Sequence, residues 1–244
     1  MQEAGRLVGE VLTELAAHVA PGVSTADLDA LAEKRIVAAG AIPAFKGYHG
    51  YPATICASIN EEVIHGIPST RRLLNEGDII SIDVGASLGG YFGDSAISLP
   101  VGKVSEQAAT LLRVTEESLY KAIERVRPGG RVSDIGHAVQ KHVEAFGFSV
   151  VRDFVGHGIG EQMHEEPQVP NYGEPGRGPR LAEGMVLAIE PMVNAGKAAV
   201  KVLADGWTAV TKDGSLAAHF EHTVAVTSGE PRILTARVPV AHAL

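Results

Sequence analysis

Apolar residues at Leu7, Val8, Val11, Leu12, Leu15 and Val19 recur at the spacing of one helix face, with mostly polar or small residues between them. Pro21-Gly22 ends that pattern. Ser24 followed three residues later by Asp27 is a capping signature with Asp in place of Glu, so the sequence predicts a second helix from there to a stop at Gly40. The phrase then returns. Val19-Ala20-Pro21-Gly22 is echoed by Val126-Arg127-Pro128-Gly129, Asp27-Leu28 by Asp134-Ile135, and Gly40 by Gly147, always 107 positions later. The stretch Leu74–Asp83 is echoed by Leu181–Glu190 at the same offset. That period is too long for a solenoid unit of about 20–50 residues and points to a duplicated half.

Runs rich in Ile, Val and Thr predict strands at Thr54–Ile59, Asp78–Ala86, Tyr91–Leu99, Met185–Val193 and Phe220–Val226. The Pro/Gly-rich stretch Pro170–Pro179 reads as a surface loop. The expected architecture is α+β: a single domain over 1–244 whose halves, about 1–104 and 105–228, each place two helices on strands.

Composition narrows the function. Of 244 residues, 45% are hydrophobic and 20% charged, which suits a globular chain and excludes a disordered one. The net charge of −8 argues against nucleic acid as the main ligand. Cys56, the one cysteine, has no internal disulfide partner. The N-terminus lacks a signal pattern and no apolar run reaches about 18 residues, so a cytoplasmic protein is expected.

Three stock motifs fail on context. Gly85-Ala86-Ser87-Leu88-Gly89 fits a nucleophile elbow, but a strand follows where a helix is required. No phosphate-binding loop pattern occurs. His164-Glu165-Glu166-Pro167-Gln168 lacks the second histidine of a zinc-protease helix. The hairpin itself is more informative. With its turn centred near Leu88-Gly89, Asp83 and Asp94 are expected directly opposite each other, with Cβ atoms about 4.5–5.5 Å apart. Two like charges there cost about 3 kcal/mol at an effective dielectric near 20, so a shared proton or a divalent cation should neutralise them. Glu190 ends a second apolar strand at the position equivalent to Asp83, and Glu221 sits in a third strand-like run. His157 lies among glycines in Gly156-His157-Gly158-Ile159-Gly160, and His65 and His164 follow in His65-Gly66-Ile67-Pro68 and Met163-His164-Glu165-Glu166. Several acids and a histidine on inward-facing strands suggest an oxygen-rich, two-metal site open to Mn, Fe, Co or Zn.

These stretches, together with Gly47-Tyr48-His49-Gly50-Tyr51-Pro52, Ser58-Ile59-Asn60-Glu61 and Ile189-Glu190-Pro191, run in order through nearly the whole chain. The chain resembles the type I methionine aminopeptidases of the bacterial kind, which have the pita-bread fold. The resemblance implies five metal ligands, Asp83, Asp94, His157, Glu190 and Glu221, holding two divalent ions bridged by Asp94 and Glu221. It implies that Glu190 doubles as proton shuttle, that His65 and His164 bind the scissile peptide, and that Tyr48, Tyr51, Cys56 and Trp207 line the methionine pocket. Met163 stands where many relatives carry Phe, and relatives usually have about a dozen more residues ahead of the first helix. The implied substrates are peptide and nascent-chain N-termini and the implied state is a monomer. Scattered Lys197, Lys201 and Lys212 give little from which to argue ribosome docking. The rival readings are a Pro-specific peptidase of the same fold, which normally carries an extra N-terminal domain, and a non-catalytic binding module, which would have lost ligands.

Overall fold

The computed structural model describes residues 1–237. Helix α1 spans Gln2–His18 and buries Leu7, Val8, Val11, Leu12 and Leu15, the predicted stripe. Helix α2, Thr25–Ala38, starts at the Ser24–Asp27 pair. The Asp27 amide donates to Ser24 Oγ at 3.2 Å, and the Ser24 amide donates to Asp27 Oδ2 at 3.0 Å. Such a cap stabilises a helix by about 1 kcal/mol. Helices α3, Glu106–Ile123, and α4, Val132–Ala145, form the second pair. The Gly22 amide donates to the Leu74 carbonyl at 2.8 Å, and 107 residues on the Gly129 amide donates to the Leu181 carbonyl at 2.9 Å. The reciprocal bonds, Leu74 amide to Val23 and Leu181 amide to Gly130, recur at the same offset.

Strand Ile79–Leu88 is the hub of a four-stranded antiparallel sheet, pairing with Ile42–Pro43, Ile55–Ile59 and Tyr91–Pro100. A five-stranded antiparallel sheet runs in the order Arg232–Ile233, His222–Ala225, Val186–Ile189, Gly156–Gly158, Glu165–Val169. Two apolar clusters lie beneath the helix pairs. Leu12, Leu15, Leu28 and Ile36 pack on Ile55, Ile80, Ile82 and Val84. Leu111, Leu119, Ile135 and Val139 pack on Leu187, Ile189, Val193 and Val224. Ile97 touches both clusters, so the hairpin strand Tyr91–Pro100 is shared between them. Truncating one of the fully buried leucines, such as Leu12, to Ala costs about 2–5 kcal/mol.

Two expectations are corrected. The hairpin turns on Gly89-Gly90, not Leu88-Gly89: both glycines have positive φ, +61° and +83°, and Leu88 pairs with Tyr91. A two-residue turn of this hand needs two left-handed residues, which Gly-Gly supplies without strain. Asp83 therefore pairs with Ala96, and Asp94 with Gly85. The two carboxylates stay on one face but are diagonal neighbours rather than directly opposed. The predicted strand Met185–Val193 is two strands, Val186–Ile189 and Met192–Asn194, in different sheets. The break falls at Glu190-Pro191, because Pro191 has no N–H to continue a ladder. Among the described residues no helix is long and apolar enough to cross a membrane.

Candidate metal centre

No continuous ladder joins Tyr91–Pro100 to His222–Ala225 of the five-stranded sheet, or to Ala217–His219, which pairs with Met192–Asn194 in a three-stranded sheet. Side-chain hydroxyls join them instead. Thr223 Oγ1 accepts from the Asp94 amide at 3.0 Å and donates to the Asp94 carbonyl at 2.7 Å. Ser95 Oγ donates to the Glu221 carbonyl at 2.5 Å. Ser98 Oγ donates to the His219 carbonyl and accepts from its amide, both at 2.8 Å. One backbone bond, Glu221 amide to Ala96 carbonyl at 3.0 Å, completes the seam. The seam fixes Asp94 and Glu221 side by side.

A cavity of about 190 Å³ opens beside it. Asp83, Asp94, His157, Glu190 and Glu221 all face this cavity, as do His65, His164, Tyr48, Tyr51, Cys56 and Trp207. The structure thus brings the candidate metal-ligating, catalytic and substrate-binding residues to one place. Ligand atoms of Asp94, His157 and Glu221 lie within 4.8 Å of one another. His157 Nε2 is 3.6 Å from Glu190 Oε1. Its Nδ1 lies 2.8 Å from the Gly158 carbonyl, which can only accept, so Nδ1 carries the proton and the Nε2 lone pair points to the cavity. Gly156 and Gly158 let the His157 strand approach its neighbours: a Cβ on Gly156 would overlap the Ala188 carbonyl, and one on Gly158 the Glu166 carbonyl.

The electrostatics are those of an unneutralised acid cluster. Burial pushes Asp83 up to about 7, against the lowering effect of the Asp94 carboxyl and the Val84 amide. Burial, then the charges of Glu221 and Asp83, hold Asp94 well above the carboxylate range. Burial and neighbouring acids do the same to Glu190 and Glu221. Burial pulls His157 and His65 down to about 4. The described residues lining the cavity include no lysine or arginine. Asp83 Oδ1, Asp94 Oδ1 and Glu221 Oε1 are buried without a hydrogen-bond partner among the described residues. Orphaned anionic oxygens of this kind are costly in a protein interior unless a cation meets them. The donor set, carboxylates plus one imidazole lone pair, suits a divalent metal.

The model of metallopeptidase family M24 matches residues 1–228. The methionine aminopeptidase of Clostridium acetobutylicum is 60% identical over 96% of this chain and 94% of its own length. The chain belongs to family M24, among its methionine aminopeptidases. The methionine aminopeptidase 1 of Bacillus subtilis is 58% identical over 96% of this chain and 94% of its own. The crystal structure of the Thermotoga maritima methionine aminopeptidase superposes with a TM-score of 0.95 at 48% identity, covering 96% of this chain and 94% of that one. The pita-bread fold of these M24 enzymes is therefore the fold of this chain.

Residues that sequence reasoning did not assign lie in or behind the cavity of this M24 chain. His219 Nε2 lies 3.9 Å from Glu190 Oε2 and is buried without a partner among the described residues, and burial pulls His219 down to about 3. Phe45 and His49 also line the cavity; His49 lies inside the stretch Gly47–Pro52, but no role was given to it from the sequence. Tyr51 faces the cavity with its ring, which meets Trp207 edge-on at 5.1 Å, while its hydroxyl lies 3.0 Å from both the Ile55 and Gly66 carbonyls. Burial raises Cys56, so it presents a neutral thiol to the cavity.

Proposed function

We propose that Asp83, Asp94, His157, Glu190 and Glu221 hold two divalent ions, and that the chain removes the N-terminal methionine of peptides and nascent proteins whose second residue is small. The carrying observation is the set of four carboxylates and one imidazole lone pair around one cavity, with orphaned oxygens and, among the described residues, no lysine or arginine lining it. When bound, the ions polarise the scissile carbonyl and ready a water for attack. The chain's own groups do the rest. Glu190, whose carboxylate is raised toward neutrality by burial and by Asp94 and Asp83, takes up and passes on the proton. His65 and His164 donate to the scissile peptide and to the charge that develops on it. Tyr48, Tyr51, Cys56 and Trp207 enclose the methionine side chain, for which aromatic faces and a neutral thiol are good contacts. Met163, 4% exposed, lines the same cavity and clusters with Phe45 and Ala53. The limit on the second residue follows from the crowding of ligands around the scissile bond.

We further propose one domain of two related halves, about 1–104 and 105–228. The support is the recurrence, at an offset of 107, of the same hydrogen bonds between the turn ahead of the second helix of each pair and the loop ahead of the next strand. The test of function is hydrolysis of Met-Ala-Ser, Met-Leu-Ser and Ala-Pro-Ala after separate reconstitution with Fe, Mn, Co and Zn. Cleavage of Met-Ala-Ser alone is expected. Preferential cleavage of Ala-Pro-Ala would make the chain a Pro-specific peptidase, and turnover in excess chelator would remove the metal from the reading.

A further inference from the structure

Tyr48 does more than border the cavity. Its hydroxyl lies 2.8 Å from Nδ1 of His164, across a sequence separation of 116 residues. The ring centroids are 5.3 Å apart, and His164 in turn sits 4.2 Å from the His157 ring. The loop that carries Tyr48 is tightly tied. The Tyr48 amide donates to Phe45 at 2.9 Å, the Tyr51 amide to Tyr48 at 2.9 Å, and the Gly47 amide to Tyr51 at 2.8 Å. His49 is held at φ +47°, a left-handed conformation that costs a non-glycine residue about 1 kcal/mol or more. Its ring meets Tyr48 edge-on at 4.4 Å. A strained loop, tied by its own backbone hydrogen bonds, therefore delivers one phenol to one imidazole nitrogen.

Two arrangements satisfy that contact. In one, the phenol O–H donates to Nδ1 and the His164 proton sits on Nε2. In the other, an Nδ1–H donates to the phenol oxygen and Nε2 is a bare lone pair. A phenol is the better acid and an imidazole nitrogen the better base, so the first pairing is the stronger hydrogen bond. Nε2 of His164 has no hydrogen-bond partner among the described residues and is the nitrogen left to face a ligand.

We propose that Tyr48 is a positioning residue that locks His164 as the Nε2–H tautomer, so that His164 meets the scissile peptide as a hydrogen-bond donor. This deepens the proposed function and rests on its placing of His164 at the substrate. A lone-pair tautomer could not stabilise negative charge developing on the peptide oxygen. Tyr48 and Tyr51 then divide the work: the Tyr51 hydroxyl is spent on backbone carbonyls, and that of Tyr48 on a working side chain.

The test uses zinc-loaded, ¹⁵N-histidine-labelled protein at pH 8, with His164→Ala to assign its signals. Long-range ¹H–¹⁵N correlation should show His164 protonated at Nε2 in the parent, and a mixture of tautomers in Tyr48→Phe. Kinetically, Tyr48→Phe should keep its metal content and its KM for Met-Ala-Ser within about twofold, while kcat falls roughly three- to tenfold, the size of one neutral hydrogen bond. An Nδ1–H signal in the parent overturns the proposal. So does an unchanged tautomer in Tyr48→Phe, or a change confined to KM, which would leave Tyr48 as pocket wall. Full turnover in His164→Ala would instead refute the assigned role of His164, and the tautomer measurement needs no substrate, so the two failures are distinct.

Discussion

Replacing Asp94 by Asn should make the metal-free protein more stable, although it should destroy the metal site. Asp94 is 5% exposed, and burial followed by the charges of Glu221 and Asp83 raises its proton affinity. The Asp94 and Glu221 carboxylates have oxygens within 4.8 Å of each other, and at an effective dielectric near 20 such a like-charge pair costs about 3 kcal/mol. Relaxation and partial retention of a proton reduce this, so the expected net gain is about 1–3 kcal/mol. For a chain of this size that corresponds to a rise in Tm of about 2–6 °C. A carboxyl whose folded pKa is raised stabilises the fold fully below its unfolded value near 4, and loses that stability as pH rises through the folded value. For Asp83 that window runs from about 4 to about 7. The buried histidines act oppositely: His157 and His65, held near 4, and His219, near 3, favour the fold as pH rises toward their unfolded value near 6.5. Above pH 7 the histidines are neutral in both states, so pH 8 isolates the acids. The assay is a set of thermal melts of parent and Asp94→Asn at pH 8 and pH 5.5, in chelator and in excess Mn²⁺. In chelator the variant should melt higher at pH 8, and the gap should shrink at pH 5.5, where the parent takes up a proton. In metal the order should reverse, since an ion at 100-fold its Kd adds about 2.7 kcal/mol to the protein that binds it. A metal-free Asp94→Asn melting below the metal-free parent at pH 8 would refute the repulsion.

His164→Ala should keep its metal content while turnover drops by about 10²–10³, as for loss of one donor to a developing oxyanion; metal analysis with single-turnover kinetics checks it. Gly156→Ala and Gly158→Ala should each destabilise by about 1–3 kcal/mol or more, because the new Cβ meets backbone carbonyls that cannot move away, and chemical denaturation would show it. Thr223→Val keeps the volume but strands the Asp94 amide and carbonyl, so it should cost about 1–3 kcal/mol and weaken Mn²⁺ binding by calorimetry, whereas Thr223→Ser should restore both.

Local chemistry explains what was legible in the chain. The Ser24–Asp27 cap, the α1 stripe and the ends at Gly40 and Gly147 depend on residues within a few positions of each other, and each appears where the pattern placed it. The candidate site was legible because carboxylates ending apolar strands conflict with burial, and that conflict is visible without coordinates. The hairpin register was misplaced by choosing Leu88-Gly89 over Gly89-Gly90, although two adjacent glycines carry the better turn signal. The break at Glu190-Pro191 was marked by the proline and passed over. The hydroxyl seam was out of reach, since Ser95, Ser98 and Thr223 are unremarkable until strands more than a hundred residues apart lie together. His219 and the Tyr48–His164 contact depend on the same long-range meeting.

That seam also sets an order of events during synthesis. Asp83 and Asp94 lie on one hairpin whose ladder is complete within residues 79–100. Glu221 and Thr223 reach them only after most of the chain has been made, because their strand pairs with Val186–Ile189 and not with the hairpin. A ribosome adding about 5–20 residues per second leaves the early carboxylates without their late partners for several seconds. During that interval the hairpin presents two acids and no imidazole, a poor trap for any transition metal. With the proposed ligand set, capture of an ion is expected to mark the docking of the last strands, and a nascent copy of this protein is expected to stay inert until its own C-terminal third has folded onto its first.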